Sequence, residues 1–433
     1  MKTTMKLCGV AAAAFALAGC GAGPQGASAS PGTKQITIWD ISTGKQQQLI
    51  KAATSKFNVT HPKIHATVDF FQNNPYKQKL QIAMGAHQPP NIFYGWGGGI
   101  LDSYVKAGDV YNMTSALKSD PSWKNKFLPS MWSAVTFNGK IYGIPNDYIQ
   151  PELFNYNKKI FHQYHISVPR TWSALLRDIH ILKSHNIIPI SLAGKSKWPE
   201  LIFEEYLVDR LGGPQVFNAV LNNRPGAWSN PAFIQANTMI QRLVKSGAFE
   251  PGFSAVGYTS GASDALVYTG KAAMQLMGSW DYQTILSADP SYINSGNFGW
   301  FAFPKVTGGK GNPNDVAGNL SNYYSISAHS TNIKASLTYL KDVPLNQYEV
   351  KHYIQMGDVP PVRGIGKQLS SQKDGKWLSY VYKMAENAPH YQLSWDQALP
   401  AREAQAMLTN LSQLFLGQIT PRQFSINMNK YIK

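Results

Sequence analysis

The chain has 433 residues, with 40 Lys and Arg against 24 Asp and Glu for a formal net charge of +16. A hydrophobic fraction of 43% and an aromatic fraction of 12% exclude a disordered or fibrous chain and suffice for a sizeable core. Only two cysteines, Cys8 and Cys20, exclude a disulfide scaffold, and the basic residues are scattered, with pairs such as Lys158-Lys159 and no accompanying motif, so no nucleic-acid partner is indicated.

Lys2 and Lys6 precede an apolar stretch from Leu7 to Gly19 that is too short to span a bilayer and is followed by Gly, Ala, Ser and Pro. Residues 1–19 therefore read as a signal peptide. Leu17-Ala18-Gly19-Cys20 resembles the lipobox of bacterial lipoproteins, which implies that Cys20 becomes the lipid-modified first residue and anchors the chain to the outer face of the cell membrane. An ordinary signal with a chance cysteine is the alternative. Loss of Lys2 and Lys6 lowers +16 to +14, and loss of Cys8 with lipidation of Cys20 leaves no thiol for a disulfide, a metal or a nucleophile. Residues 20–33, rich in Gly, Ala, Ser, Pro and Gln, form a tether. What remains exceeds one core, so two domains are expected. The positive charge reads as a solvated face suited to an anionic cell wall or an acidic habitat.

Folded sequence starts at Ile36-Thr37-Ile38-Trp39, a β-branched and aromatic run ending at Asp40-Ile41-Ser42-Thr43-Gly44, which predicts a strand entering a polar loop. Apolar spacing over Gln47 to Phe57 predicts a helix, stopped by His61-Pro62 before a strand around Ile64 to Phe70. A second helix, Tyr76 to Met84, closes at Gly85, and Asn91 to Tyr94 makes a third strand. The alternation predicts an α/β fold, whose ligands bind beyond the carboxyl ends of the strands. Loops 40–44 and 95–99 are thereby candidate site walls, with Asp40, Ser42, Trp96 and Gly97.

Further along, "IYGIP" and "LFNYNKK" bracket the polar segment Asn146 to Gln150, a crossing between domains or a hairpin, with Asp147 and Tyr148 as its candidates. Thr171 is the expected cap of a helix and Trp172 its packing residue. Trp198, with Glu200, either faces a site or packs at a helix start. An apolar strand, Ala272 to Met277, runs into "GSWDY", where Gly278 and Ser279 turn the chain and present Trp280 and Asp281. "GNLSNYY" offers Asn319 and Asn322 after a crossing near Pro304 to Gly318, and Arg363 in "DVPPVRG" lies at a third crossing.

The series "NGKIYGIPNDYIQPELFNYNKKIF", "VPRTWSALL", "YTGKAAMQLMGSWDYQ", "FGWFAFP", "VAGNLSNYYSISAHSTNIKASLTYL" and "GDVPPVRG" resembles, in order, the extracellular solute-binding proteins of ABC importers, in the large group that binds sugars. The resemblance implies two α/β lobes joined by crossing strands, with the ligand in the cleft between them. It places residues 34–144 with 306–360 in one lobe and 145–305 with 361–433 in the other. It also implies a monomer that delivers its ligand to the transmembrane subunits of a permease and performs no chemistry.

The residues suit such a ligand. An indole face packs on the apolar face of a pyranose while carboxylates and amides meet its hydroxyls, so Trp96, Trp198 and Trp280 with Asp147, Asp281, Asn319 and Asn322 form a sugar-binding set. Arg363 would bond a ring oxygen or brace the hinge. Three indoles fit a short oligomer better than one ring, and the "GNLSNYY" and "GSWDYQ" stretches look most like receptors for xylo-oligosaccharides, then chitin-derived sugars, with malto- and cello-oligosaccharides as further alternatives.

Other classes fit the residues less well. "LAGKS" at 192–196 has Pro189 where a phosphate-binding loop needs glycine, and Pro62 breaks the helix that would align His61 with His65. His162 and His165 have no carboxylate nearby in sequence, and no metal or redox cofactor is implied. A lipid-anchored glycoside hydrolase using two of Asp147, Glu152 and Asp281 is the rival of another class, and a wall-adhering lipoprotein is a third reading.

Overall fold

The structure, a computed structural model, describes residues 32–432. The expected signal peptide, Cys20 and nearly all of the tether lie outside the described residues.

Thirteen strands are present among the described residues: β1 Lys34–Asp40, β2 Ile64–Phe70, β3 Ile92–Gly95, β4 Thr136–Phe137, β5 Lys140–Ile141, β6 Ile144–Pro145, β7 Gln150–Asn157, β8 Ile188–Ser191, β9 Ala272–Gly278, β10 Phe298–Phe301, β11 Val316–Asn319, β12 Tyr323–Ile326 and β13 Tyr391–Gln392. The first sheet has the order β2-β1-β3-β12-β6, the second β13-β11-β7-β9-β8 with β10 also paired to β7, and β4 with β5 forms a hairpin. These are the two lobes expected. β1 is parallel to β2 and β3, in a register that sets Asp40 beside Phe70. Its buried residues alternate, Ile36, Ile38 and Asp40, so the apolar face of the strand carries a carboxylate at its end. β9 is buried along its whole length, as a central strand covered on both faces must be.

The helices end where their sequence breaks them. The first runs Gly44–Thr60 and stops ahead of Pro62, and the second runs Asn73–Gly85. Thr171 caps the helix Trp172–Ser184 by accepting from the Ala174 N–H at 3.1 Å, and Trp172 is buried beneath it, as expected.

The lobe boundaries differ from expectation. The first crossing does fall at 146–149, between β6 in one sheet and β7 in the other. The second falls at 320–322, between β11 and β12, and not near 304–318. The reason lies in the loop before β11, which packs on the second lobe: the Asp315 carbonyl accepts from the buried Arg210 at 2.9 Å, and Gly309 and Gly311 lie against backbone of the helix Trp198–Gly212 so closely that a Cβ would collide. Residues 306–319 thus belong with the second sheet. At the third crossing, Val362 pairs with Phe127 and the Arg363 N–H donates to the Lys126 carbonyl, so the first lobe extends past 360 before the helix Gly375–Asn387 joins the second.

Candidate functional site

The loops leaving β1, β2 and β3 form one wall of a cavity of about 470 Å³ between the lobes. Ile41, Ser42, Thr43 and Gln46 follow β1; Gln72, Asn73 and Lys77 follow β2; Tyr94 and Trp96 stand at the end of β3. The second lobe supplies Gln150 and Glu152 on β7, Trp198, the turn Tyr258 to Gly261, Trp280 with Gln283 and Thr284 after β9, and Ser394, Asp396 and Gln397. Asp147, Tyr148, Asn319 and Asn322 come from the crossings.

The three expected tryptophans share this cavity, all half-buried. Trp198 and Trp280 have ring centroids 5.8 Å apart at 62°, and Tyr258 stands 5.0 Å from Trp198 at 73°. On the facing lobe Trp96 lies 5.3 Å from Tyr94 at 83°. Edge contacts of this kind leave ring faces free for a ligand. The Trp280 ring folds over Gly278, where any Cβ would strike it, so the glycine in "GSW" sets the position of the indole. Lys77 stands 4.8 Å over Trp96 and pairs with Asp396 at 3.0 Å, an ion pair joining the lobes at the cavity wall.

Seven lining residues carry a buried side-chain polar atom with no partner among the described residues: Ser42 Oγ, Asn73 Oδ1, Glu152 Oε2, Trp198 Nε1, Asn319 Oδ1, Asn322 Oδ1 and Gln397 Oε1. An unpaired buried polar atom costs about 1–3 kcal/mol, so a concentration of them on one cavity points to a ligand rich in hydrogen-bonding groups.

Asp147 is the hub of the crossings. Its Oδ1 accepts from Gln46 at 3.0 Å and from the Tyr148 N–H at 2.9 Å, and its Oδ2 from Tyr94 at 3.2 Å, Asn322 at 3.0 Å and Gln150 at 3.4 Å. Five donors fill the lone pairs of one carboxylate, so the residue ties both lobes to the hinge and has little capacity left for a ligand. Burial raises its pKa to about 6 against these hydrogen bonds. Glu152 and its buried neighbour Glu205 are both pushed up by burial, with Asp396 adding to the rise at Glu152, so the pair holds a proton near neutrality. Glu205 accepts from Ser394 at 2.9 Å and from the Trp395 N–H at 2.7 Å.

Five sequence-selected residues do not line the cavity. Asp40 faces inward, accepts from the Ser42 N–H at 2.6 Å and from the Tyr324 hydroxyl, and so shapes the loop that presents Ser42. Gly97 adopts φ +78° beneath Ala134, a close approach of backbone to backbone. Glu200 is fully buried inside its helix, and Asp281 is buried behind Trp280, accepting from Asn155 at 2.9 Å and from Tyr258 at 3.3 Å. Arg363 donates through Nε to the Phe127 carbonyl at 3.0 Å, beside the third crossing and outside the cavity lining. The sequence reading missed Gln46, Gln72, Asn73, Lys77, Tyr94, Gln150, Tyr258 and Gln397, and took Glu152 only as a hydrolase carboxylate. Gln46 and Asn73 had a signal, since each opens the helix that follows a parallel strand.

Residues 41–341 match the family model described as bacterial extracellular solute-binding protein. The chain belongs to that family. This solute-binding protein is 26% identical over 288 residues to an ABC transporter extracellular-binding protein of Pyrococcus horikoshii, spanning 64% of each chain. A solved structure from work on xylan utilization by the thermophilic bacterium Caldanaerobius polysaccharolyticus is 29% identical, with a TM-score of 0.83 over 92% of this chain and 100% of that one. A chitin oligosaccharide binding protein is 26% identical, also with a TM-score of 0.83, over 92% of this chain and 98% of the other. Among the described residues, no helix of the solute-binding protein is long and apolar enough to cross a membrane.

Proposed function

We propose that the protein is the receptor of an ABC sugar importer, and that the cavity between its lobes holds a short oligosaccharide, first of all a xylo-oligosaccharide such as xylobiose. The observation that carries this reading is the combination of three tryptophans and seven unpaired polar atoms on one cavity of about 470 Å³, within the usual range for small-ligand pockets. Indole faces suit pyranose rings, and the unpaired atoms suit their hydroxyls. The relatives linked to xylan and to chitin oligosaccharides support the order xylose first, chitin-derived sugars second.

The receptor binds its sugar outside the cell, anchored through lipidated Cys20, and presents it as a monomer to the permease. A transporter distinguishes loaded from empty receptor only when the sugar binds the closed arrangement of the lobes better than the open one. The hydrolase reading loses ground because Asp147 is saturated by protein donors and Asp396 is paired with Lys77, leaving Glu152 without a second free carboxylate on the wall.

A thermal-shift screen of the chain from residue 21 against xylobiose, xylotriose, chitobiose, cellobiose, maltose and their monomers tests the proposal. At a hundred times its dissociation constant a ligand adds about 2.7 kcal/mol, which moves the melting temperature visibly. Xylobiose or xylotriose is expected to shift it and to be recovered uncut. A shift from chitobiose alone replaces the xylose assignment, cleavage of the sugar reinstates the hydrolase, and no shift from any sugar removes the oligosaccharide reading.

A further inference from the structure

At the end of the first sheet remote from Trp96, three chain segments far apart in sequence bring together His87, Asp109 and His329. His87 Nδ1 and His329 Nε2 each lie 2.8 Å from Asp109 Oδ1, and the three ligand atoms all fall within 4.8 Å of one another. Asp109 is an ionisable anchor with a side chain 4% exposed, whereas the imidazoles are 62% and 40% exposed, so the cluster is reachable from solvent on one side only.

The backbone fixes all three residues. The Ala328 N–H donates to the Asp109 carbonyl at 2.9 Å, and the Ser327 N–H to the Asn91 carbonyl at 3.0 Å, which joins the segments carrying Asp109 and His329 to the start of β3. The His329 N–H is held by Ser327 Oγ at 3.0 Å. His87 follows the helix Asn73–Gly85 at φ +53°, a left-handed position that usually takes Gly or Asn, and its N–H donates to the Met84 carbonyl at 3.0 Å. A helix end needs no imidazole there; the position aims one at Asp109.

We propose that His87 Nδ1, Asp109 Oδ1 and His329 Nε2 form a binding site for one first-row divalent transition ion of the zinc type. Two imidazole nitrogens and one carboxylate oxygen suit zinc and its neighbours and do not suit magnesium or calcium, which take oxygen ligands. Bonds of about 2.0–2.2 Å in a tetrahedron set ligand atoms about 3.3 Å apart, so the two 2.8 Å contacts open by roughly half an ångström while the two ring nitrogens, which lie within 4.8 Å of each other, draw in toward the same separation through rotation of the exposed rings. The two ring N–H groups that now donate to the carboxylate pass their protons to the other ring nitrogen or to solvent, and water takes the fourth position. The ion staples the three segments from the far side of the lobe, away from the sugar cavity.

Titration of zinc chloride into metal-stripped protein, with and without variants, tests the site. One Zn²⁺ per chain is expected, with a melting temperature raised by several degrees and no rise from Mg²⁺. His87→Gln and His329→Gln should each weaken binding at least tenfold, while His65→Gln, an exposed imidazole elsewhere, leaves it unchanged. A zinc-edge anomalous peak between the three side chains in a soaked crystal gives a readout that needs no variant. Binding that survives both variants, a peak elsewhere, or no stoichiometric binding overturns the proposal. No sugar enters the experiment, so its failure is separate from failure of the receptor reading.

Discussion

A tryptophan on a cavity wall contributes differently from one in a core. Trp280 and Trp198 are half-buried and meet each other edge to face, so on the proposed function truncating either removes ligand contact more than it removes packing. Trp280→Ala is expected to weaken the sugar identified by the screen about tenfold or more, roughly 1.4 kcal/mol, with little change in the melting temperature of the unliganded protein. Isothermal titration reads the affinity, and an unchanged dissociation constant would place the indole outside the site. Asp147 behaves in the opposite way. In Asp147→Asn an amide N–H₂ must face donors that now meet an oxygen, at a cost of about 1–3 kcal/mol. The variant should melt several degrees lower with no sugar present. A melting temperature equal to that of wild type would show that the hub is not structural.

At the scale of elements, β9 and the turn after it show how a strand end sets a wall. Gly278 ends a fully buried strand, and the indole two residues on occupies the space its side chain would need. Gly278→Ala should therefore push Trp280 aside and lose sugar affinity while leaving the fold largely intact; affinity and circular dichroism measured on the same sample check both halves. The sequence carried much of this element order. β1, β2, β3, the first crossing and the three tryptophans are legible from β-branched runs, glycine pairs and polar breaks. Asp40 was legible too, had the alternation of Ile36 and Ile38 been carried one step further, since it places the carboxylate on the inner face. Glu200 sits in "WPELIFEEYLVDRL", a helix buried nearly all round, where a carboxylate near an indole in sequence points elsewhere in space. The amides Gln72 and Gln397 had no local signal, because only the meeting of two lobes makes them neighbours. The second boundary was misplaced for a related reason: glycines 309 and 311 read as loop, and their close approach to a helix is a tertiary fact.

The whole molecule is weighted with buried acids. Burial raises Glu200, Glu204 and Glu349 to about 8, Glu250 to about 7, and Asp147 and Asp209 to about 6, and pushes up Glu152 and Glu205 as a pair. Each keeps its proton in the fold at a pH where the unfolded chain has lost it. The stability they confer is therefore complete below about pH 4 and drains away as pH rises through the folded values toward 8. Asp120 and Asp289, lowered by hydrogen bonds from Lys341 and from Ser291, act the other way, but they lie at the surface where solvent screens them. The melting temperature is expected to be higher at pH 5 than at pH 8.5, by on the order of 10 °C, since each tenfold gain in proton affinity on folding is worth about 1.4 kcal/mol and several groups contribute. A melting temperature that stays level or climbs over that range would contradict it.

One arrangement reaches beyond binding. Of eleven tryptophans, Trp228, Trp377 and Trp395 are sealed in the core, while Trp96, Trp198 and Trp280 stand half-buried around a single cavity. Indole emission responds to contact with water, so a ligand that displaces water from this cavity changes the light of the wall tryptophans and leaves the sealed ones as a constant background. On the proposed reading, the protein carries a built-in optical gauge of its own occupancy, readable without any label.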